Sequence, residues 1–293
     1  MPSPTLTVLI PAYNEGASLA CFLPEVMSFC KKHEYKLVVV NDGSCDDTAD
    51  VLDQYRDPNF MTVIQHKLNR GYGGAIKSGI RAANTDYVVT VDADGQHFLE
   101  DIEILFAEVL SSGADMMVGS RKGLESSSLY RSIGKRLIRF VANILLDVPV
   151  YDINSGMKVL NTELAQKYLS LCPDSMAFSE VITLVFISDR HLVVEHPIRI
   201  RERIAGSSTI TTATAFQTMM EILNIVVLFN PIRIFLPISL LSLLLGVLGG
   251  LPIVLRNGGI SVGAMLAIVT GIIFFFLGLL AEQISMIRRD IDS

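Results

Sequence analysis

The sequence predicts an α/β head built on a doubly wound, mostly parallel sheet, followed by an apolar tail. Strand, loop and helix signals alternate four times in the first ninety residues, as is typical of a parallel sheet with helices on both faces. The end of the chain instead contains two uncharged runs, 234–255 and 260–281, and 50% of all 293 residues are hydrophobic against 18% charged. We therefore divide the chain into a head (1–212), an interfacial helix (213–230) and a membrane tail (231–293).

The first four strands are short apolar runs that end at turn residues. The expected strands are 5–11, 35–41, 61–66 and 86–91, and the helices between them are 16–32, 47–55 and 74–83. Nearly all-apolar strands indicate a sheet covered on both faces. Ligands of such sheets bind beyond the carboxyl ends of the strands, so Asp42 and Asp92–Gln96, which follow two of the strands, are candidate site residues.

The second half of the head is less regular. We expect a helix at 100–111 and a strand at 116–119. Residues 130–146 place basic side chains four residues apart on an otherwise apolar helix, and residues 213–229 carry a thin polar stripe. These two helices fit either an interfacial position beside anionic lipid headgroups or the core of the head, and both readings stay open.

The two uncharged runs of the tail are long enough to cross a membrane. Each reaches about 33 Å as a helix, against a hydrocarbon core of about 30 Å. The short connection 256–259 predicts a hairpin that returns the C-terminus to the side of the head. Arg233, Arg288 and Arg289 flank the hairpin, against one arginine in the connection, which favours a cytoplasmic head on an integral protein of the inner, plasma or endoplasmic reticulum membrane.

Charge and cysteine content exclude several classes. The net charge of −6 argues against nucleic-acid binding, which needs a basic face. Two basic clusters, 131–139 and 199–203, are consistent with an anionic ligand, although basic residues paired with surface carboxylates give the same pattern. The four cysteines have neither metal-ligand nor disulfide-framework spacing, as expected for a head in a reducing compartment.

Asp92-Ala93-Asp94-Gly95-Gln96, at the end of the fourth strand, carries the strongest local signal. Two carboxylates and an amide oxygen are hard ligands of the kind that Mg²⁺ and Mn²⁺ take, and few protein ligands leave positions open for substrate phosphates. Acidic pairs are also common in turns, which is the alternative interpretation.

Six short motifs follow one another in a specific order: Pro11–Glu15, Asn41–Ser44, Asn69–Gly71 with Gly73–Ala75, Asp92–His97, Gly119–Arg121 and Ser155–Gly156. In order and spacing the sequence resembles the family 2 glycosyltransferases. Within them it is most similar to dolichol-phosphate mannose synthases and to bacterial polyprenyl-phosphate glycosyltransferases with a two-span tail. The resemblance implies a GT-A-like, Rossmann-related head and a two-helix transmembrane hairpin.

The resemblance also implies roles for individual residues. The nucleotide-sugar donor, UDP- or GDP-linked, would be bound by Pro11, Ala12, Tyr13, Glu15, Asp42, Asp92, Ala93 and Arg203. A divalent cation, Mg²⁺ or Mn²⁺, would be held by Asp94 and Gln96, and the acceptor phosphate by Arg121 and Arg136. Asp94, Arg121 and Asp152 are the expected catalytic residues. Turn, capping and surface-charge roles are the alternatives for these side chains.

The expected reaction is the inverting transfer of a sugar to a polyprenyl phosphate, undecaprenyl or dolichyl, in the membrane. One departure is Thr209, where the family often has Lys; Arg199, Arg201 and Lys158 are candidate replacements. A different membrane or glycan acceptor, or an inactive membrane-tethered nucleotide-binding scaffold, are the alternatives. A processive polysaccharide synthase is disfavoured because the chain has no Trp for the Gln-x-x-Arg-Trp motif of such enzymes. Whether the chain forms a homo-oligomer is left open.

Overall fold

The computed structural model describes residues 4–121, 148–201, 220, 227, 231–255, 259 and 261–292. Contacts divide the chain into two compact units, one comprising 1–140 and 147–221 and the other 141–146 and 222–293. The first unit holds a single sheet with its helices, and the second holds two long apolar helices.

The sheet of the head has seven strands among the described residues, in the order β3-β2-β1-β4-β6-β5-β7. The strands are β1 (Leu6–Ala12), β2 (Lys36–Asn41), β3 (Met61–Gln65), β4 (Tyr87–Thr90), β5 (Met116–Ser120), β6 (Lys158–Asn161) and β7 (Val193–Pro197). All neighbouring pairs are parallel except those that involve β6, which runs antiparallel to β4 and β5. The predicted doubly wound, mostly parallel sheet is therefore confirmed, and the antiparallel β6 is a feature that the sequence patterns did not predict.

Helices cover the sheet and follow the strands in sequence. They are α1 (Gly16–His33), α2 (Thr48–Gln54), α3 (Tyr72–Ala82), α4 (Leu99–Ser112), α5 (Thr162–Tyr168) and α6 (Phe178–Ser188). All seven residues of β1 are buried, because β1 is central and has helices against both faces. Gly79 lets α3 approach the sheet closely, since a Cβ there would lie 2.0 Å from Leu9 Cδ1. The core between helices and sheet is aliphatic and aromatic.

The carboxyl ends of the parallel strands form one edge of the sheet, and β6 begins at that edge because it runs the other way. Thr90 at the end of β4 pairs with Lys158 at the start of β6. The loop that enters β6, residues 152–157, therefore lies beside the segment that leaves β4. Thr90 Oγ1 donates to the carbonyl of Gly156 at 2.6 Å and ties these two segments together.

The second unit contains α7 (Ile232–Leu255) and α8 (Val262–Asp292) packed antiparallel. Small residues lie at the contact: Ser239 Oγ donates to the carbonyl of Gly271 at 2.7 Å, and a Cβ at Gly246 would lie 2.6 Å from Ile268 Cγ1. Both helices are long and apolar enough to cross a membrane, with mean hydropathies of 2.4 and 2.6, and only 11% and 17% of their most apolar windows are buried. Such exposed apolar surface fits a lipid environment rather than a soluble core.

One difference from the sequence-based expectations concerns a helix, and two predicted helices are not tested. The second apolar helix continues to Asp292, past the predicted end at Ala281, because the polar residues that follow add further helical turns to the apolar segment. The predicted helix at 130–146 and, apart from Met220 and Val227, the predicted helix at 213–229 lie outside the described residues.

Candidate active site

Asp42 follows β2 and holds the loop after β3. Its carboxylate is 2% exposed and accepts the backbone N–H groups of Arg70 and Gly71 at 2.9 and 2.8 Å. His66 Nδ1 donates to Asp42 Oδ1 at 2.6 Å, and His66 Nε2 lies 2.9 Å from Ser78 Oγ. A carboxylate has about four acceptor positions, so these three bonds leave capacity for one further N–H donor, such as a ring N–H of a nucleotide base.

Asp92 lies where β4 ends and is held from three sides. Tyr72 O–H donates to Asp92 Oδ1 at 3.1 Å, and His97 Nε2 lies 3.5 Å from Asp92 Oδ2. Gly156 forms the third side, since a Cβ there would lie 2.3 Å from Asp92 Oδ2. Burial alone raises the pKa of Asp92, but hydrogen bonding and charge from His97, with help from Tyr72, outweigh it and hold that pKa below its ordinary value. Asp92 is therefore a positioned carboxylate that stays ionised at neutral pH.

Asp94, Gly95 and Gln96 form a tight turn directly after Asp92. Asp94 Oδ1 accepts the backbone N–H of Gln96 at 3.0 Å, and Gly95 has a φ of +70°, which favours glycine. In the part of the chain that the structure describes, no group of three or more His, Cys, Asp or Glu side chains lies close enough to hold a metal ion. The oxygen donors of this turn nevertheless fit a nucleotide-associated Mg²⁺ or Mn²⁺, which commonly takes one or two carboxylates and completes its coordination with substrate phosphates.

Arg121, the residue after β5, binds the loop that enters β6. Its Nε and Nη2 donate to the two oxygens of Asp152 at 2.7 and 2.9 Å, and Nη2 also donates to Asn154 Oδ1 at 2.8 Å. Burial raises the pKa of Asp152, but the hydrogen bonds and the charge of Arg121 lower it more, so the carboxyl is held below its usual range. An anionic carboxylate paired in this way orients the guanidinium and is a poor general base.

Lys158 and Glu180 bring two further charges into the interior behind this loop. Lys158 is 1% exposed, and its ammonium group donates to the carbonyls of Ile153, at 2.7 Å, and Ser179. Burial lowers the pKa of Lys158, partly offset by the charge of Glu180 on α6. Burial likewise raises the pKa of the Glu180 carboxyl, partly offset by Lys158. Both shifts favour the neutral forms, so the side of the site formed by β5 and β6 contains a buried titratable pair.

The family assignment of this chain rests on a match over more than half of the sequence. Residues 7–169 match the profile of Glycosyl transferase family 2. The chain belongs to this family. Residues 230–287 match a second profile, the GtrB C-terminal hairpin, which covers the two apolar helices. The predicted membership of the family 2 glycosyltransferases is therefore confirmed.

Two kinds of relative resemble this family 2 glycosyltransferase. An uncharacterized protein of Methanocaldococcus jannaschii is 35% identical over 55% of this chain and 67% of its own length. The undecaprenyl-phosphate 4-deoxy-4-formamido-L-arabinose transferase of Photorhabdus laumondii is 28% identical over 98% of this chain and 90% of its own length. The enzyme of the same name from Pseudomonas savastanoi is 28% identical over 99% and 88%. The latter two likenesses extend through both the head and the hairpin.

Solved structures share the fold of the head. Glucosyl-3-phosphoglycerate synthase from Mycobacterium tuberculosis, crystallised with Mn²⁺, UDP and phosphoglyceric acid, has a TM-score of 0.61 at 18% identity and covers 76% of this chain and 79% of its own. A second crystal structure of that enzyme contains Mn²⁺, UDP-glucose and phosphoglyceric acid, at a TM-score of 0.59 and with 76% and 80% coverage. At this identity the likeness confirms the GT-A-like fold of the family 2 head and nothing finer.

The structure brings most of the predicted site residues of this transferase to one edge of the sheet. Pro11 and Ala12 end β1, and Tyr13, 45% exposed, follows them. Glu15 stands at the N-cap position of α1 and accepts a hydrogen bond from Ser18 Oγ at 2.8 Å, but its side chain makes no capping hydrogen bond to that helix. The remaining described members, Asp42, Asp92, Ala93, Asp94, Gln96, Arg121 and Asp152, follow β2, β4 and β5 or precede β6. Arg136 and Arg203 lie outside the described residues, and their predicted roles stay predictions.

The three candidate replacements for the family lysine at Thr209 are engaged by protein groups. Lys158 is buried, and its ammonium group already donates to two backbone carbonyls, so Lys158 does not fit a phosphate ligand. The suggestion that Lys158 replaces the family lysine is therefore wrong. Arg199 donates to Asp101 at 2.8 Å and Arg201 donates to the carbonyl of Gly95 at 2.5 Å.

The sequence patterns missed several residues that organise the site of this family 2 enzyme. They are Tyr72, His66 and Glu180, which contact or surround the predicted site residues. His97 and Gly156 stood within quoted motifs, yet only the fold places them against Asp92. Tyr72 and His66 reach their partners through tertiary contacts that no local pattern encodes.

Proposed function

We propose that this glycosyltransferase moves a sugar from a nucleoside-diphosphate sugar to the phosphate of a membrane polyprenyl phosphate, with inversion at the anomeric carbon. One observation carries the proposal: transferases that are named for undecaprenyl phosphate resemble this chain along its whole length, hairpin included. A hairpin of this type would keep the head at the membrane surface, where a lipid phosphate is available.

The acceptor makes a strong general base unnecessary. A phosphate monoester with a second pKa of about 6 is an anionic nucleophile at neutral pH. The protein need only place that oxygen behind the anomeric carbon and stabilise the departing diphosphate. The ionised, paired Asp152 is consistent with this chemistry, because it orients Arg121 without having to accept a proton.

The donor half of the reaction is assigned to the carboxyl ends of β1, β2 and β4. The remaining acceptor capacity of Asp42 suits an N–H of the base, and Asp92 lies beside the Asp94–Gln96 turn. A divalent cation on Asp94 and Gln96 would neutralise charge on the diphosphate leaving group. UDP and GDP are both compatible with these contacts.

The acceptor half is assigned to Arg121, at the end of β5, together with Arg136. A guanidinium in a fixed orientation suits phosphate oxygens. In the membrane, the antiparallel packing of α7 and α8 places residue 232 and the C-terminal end on one side, and we propose that this is the cytoplasmic side, on which the head lies. The basic residues that flank the hairpin favour this orientation.

The test is a transfer assay with purified full-length protein and a panel of radiolabelled donors: UDP-glucose, UDP-N-acetylglucosamine and GDP-mannose. Each donor is offered polyprenyl phosphate, the corresponding dephosphorylated polyprenol, or a soluble glycan. We expect label in the lipid phase for one donor with polyprenyl phosphate only. Label transferred to glycan would indicate the synthase alternative, and no nucleoside-diphosphate release with any acceptor would indicate the scaffold alternative.

A further inference from the structure

Two arginines in the segment after β7 share one aromatic ring but bind different parts of the head. The guanidinium carbons of Arg199 and Arg201 lie 4.7 and 5.5 Å from the centroid of the Phe98 ring. Phe98 comes shortly after the Asp94–Gln96 turn and immediately before α4. The family motifs on which the site was predicted include neither arginine.

Arg201 binds the Asp94–Gln96 turn from outside. Its Nε donates to the carbonyl of Gly95 at 2.5 Å, and its backbone N–H donates to the carbonyl of Gln96 at 3.0 Å. A β-bridge between His97 and Ile200 continues the same pairing. Two consecutive carbonyls of the turn that contains the proposed cation ligands are therefore fixed by one residue.

The guanidinium of Arg201 is itself anchored to α1. Its Nη2 forms an ion pair with Glu25 at 3.2 Å, and the group lies 5.7 Å from the centroid of the buried Phe22 ring. The planar guanidinium group thus connects the Asp94–Gln96 turn to α1, and its hydrogen bond to the Gly95 carbonyl is charge-assisted. The Asp94 side chain restrains the same turn from within by accepting the N–H of Gln96.

Arg199 offers a matched contrast. Its Nε and Nη2 donate to Asp101 Oδ1 at 3.0 and 2.8 Å, and its backbone N–H donates to Asp101 Oδ2 at 2.8 Å. Its described polar contacts are with α4 residues, Glu100 included, rather than with the turn. Arg199 and Arg201 therefore provide comparable numbers of hydrogen bonds from the same segment, and only Arg201 contacts the turn.

We propose that Arg201 is a positioning residue for the cation: it fixes the Asp94–Gln96 turn in the geometry that lets Asp94 and Gln96 bind one divalent ion together. The inference rests on the proposed function, because it concerns the cation that supports departure of the diphosphate. Groups that orient metal ligands without touching the metal commonly change metal affinity by about 10- to 100-fold when removed.

The experiment measures Mn²⁺ binding to the full-length protein by electron paramagnetic resonance, in the presence of whichever of UDP or GDP the wild-type enzyme releases. The variants are Arg201→Ala, Arg201→Lys and the control Arg199→Ala, and their melting temperatures are recorded alongside. We expect Arg201→Ala to weaken Mn²⁺ binding about 10- to 100-fold and Arg201→Lys to recover part of it. Arg199→Ala should lower the melting temperature and leave Mn²⁺ binding within about twofold.

Two results would overturn the inference while leaving the proposed function intact: wild-type Mn²⁺ affinity in Arg201→Ala, or an equal loss in Arg199→Ala. If Arg201→Ala fails to fold, Arg201→Lys and Glu25→Gln serve for the same comparison, since the first changes the guanidinium group and the second removes the charge of its partner on α1. Unchanged Mn²⁺ affinity in both variants would reject the positioning role. Wild-type protein that transfers sugar without binding Mn²⁺ or Mg²⁺ would instead reject the cation itself, and with it this inference.

Discussion

The two sides of the candidate active site are held together by different interactions. On the side of β1, β2 and β3, carboxylates bind backbone N–H groups: Asp42 holds Arg70 and Gly71, and Asp46 holds Gly16 and Thr48. On the side of β5, β6 and β7, charged side chains bind one another or enclosed carbonyls, as in the Arg121–Asp152 pair and at Lys158.

This difference determines how clearly the effect of a substitution on substrate binding can be separated from its effect on stability. Replacing a buried carboxylate that binds neutral N–H groups leaves those donors unsatisfied, which costs about 1 to 3 kcal/mol. A buried charge that loses its partner costs several kcal/mol, whatever its role in the reaction. Variants on the β5–β6 side that remove a charge therefore need paired substitutions before an effect on activity can be assigned to substrate binding.

The largest expected effect is at the turn on the donor side. Asp94→Asn should lower kcat/KM by about 100-fold or more, because the charged ligand that we assign to the cation is lost at the leaving group. Steady-state kinetics at saturating Mn²⁺ measure this change. Asp50→Asn, an exposed carboxylate on α2, is the matched control and should behave as wild type. Near-wild-type turnover in Asp94→Asn would remove that residue from the cation site.

The second effect is a loss of stability on the acceptor side. Arg121→Ala leaves Asp152, whose side chain is 5% exposed, without its charged partner, so the free energy of unfolding should fall by about 3 kcal/mol. The double variant Arg121→Ala/Asp152→Asn should recover more than half of that loss but none of the affinity for polyprenyl phosphate. Urea denaturation and acceptor titrations measure the two quantities. A double variant no more stable than Arg121→Ala would contradict the buried-pair account.

A third effect concerns the glycine beside Asp92. Gly156→Ala places a Cβ 2.3 Å from Asp92 Oδ2, so the carboxylate or the loop must move, and kcat/KM should fall by about tenfold or more. Gly113→Ala is the control: its φ of +64° makes it costly for stability, but a Cβ there meets no atom within 4 Å. If the two variants lose equal activity, strain in general, and not the position of Asp92, explains the result.

The smallest effect is a dependence of stability on pH. Because Arg121 lowers the pKa of Asp152 below its ordinary value despite burial, the pair stabilises the head fully above about pH 4, the usual range of an unfolded Asp. That contribution is lost as the pH falls through the lower pKa of the folded state. Urea denaturation between pH 5 and about pH 3 should show a steeper loss for wild type than for Asp152→Asn. Parallel curves would mean that the carboxyl is not preferentially ionised in the folded protein.

The same contrast explains how much could be predicted from the sequence. Strands β1 to β4 and the helices that follow them were predicted within a few residues, because apolar runs and turn residues are local signals. The antiparallel β6 was not predicted, since a four-residue strand has no periodicity of its own and its direction depends on its neighbours. The hairpin was predicted from length and hydropathy alone.

Within the candidate site, the sequence indicated residues that follow strands but not those that hold them. Asp42, Asp92 and Asp94 were singled out because of where they stand after apolar runs. Tyr72 was not, because it reaches Asp92 across the fold. Arg201 was considered only as a phosphate ligand, because its contact with Gly95, 106 residues away, depends on the fold. Lys158 was included among three candidate phosphate ligands because a sequence does not reveal that an ammonium group is buried.

The most direct test of the division between donor and acceptor sides is two-substrate kinetics with one conservative variant on each side. A lost charge-assisted hydrogen bond of about 1.5 kcal/mol corresponds to roughly tenfold in affinity. Asp42→Asn should raise the KM for the nucleotide sugar by about tenfold and leave the KM for polyprenyl phosphate unchanged, and Arg121→Lys should do the reverse. If Arg121→Lys raises the KM for the nucleotide sugar while the KM for polyprenyl phosphate stays constant, Arg121 belongs to the donor site, and the division proposed here is wrong.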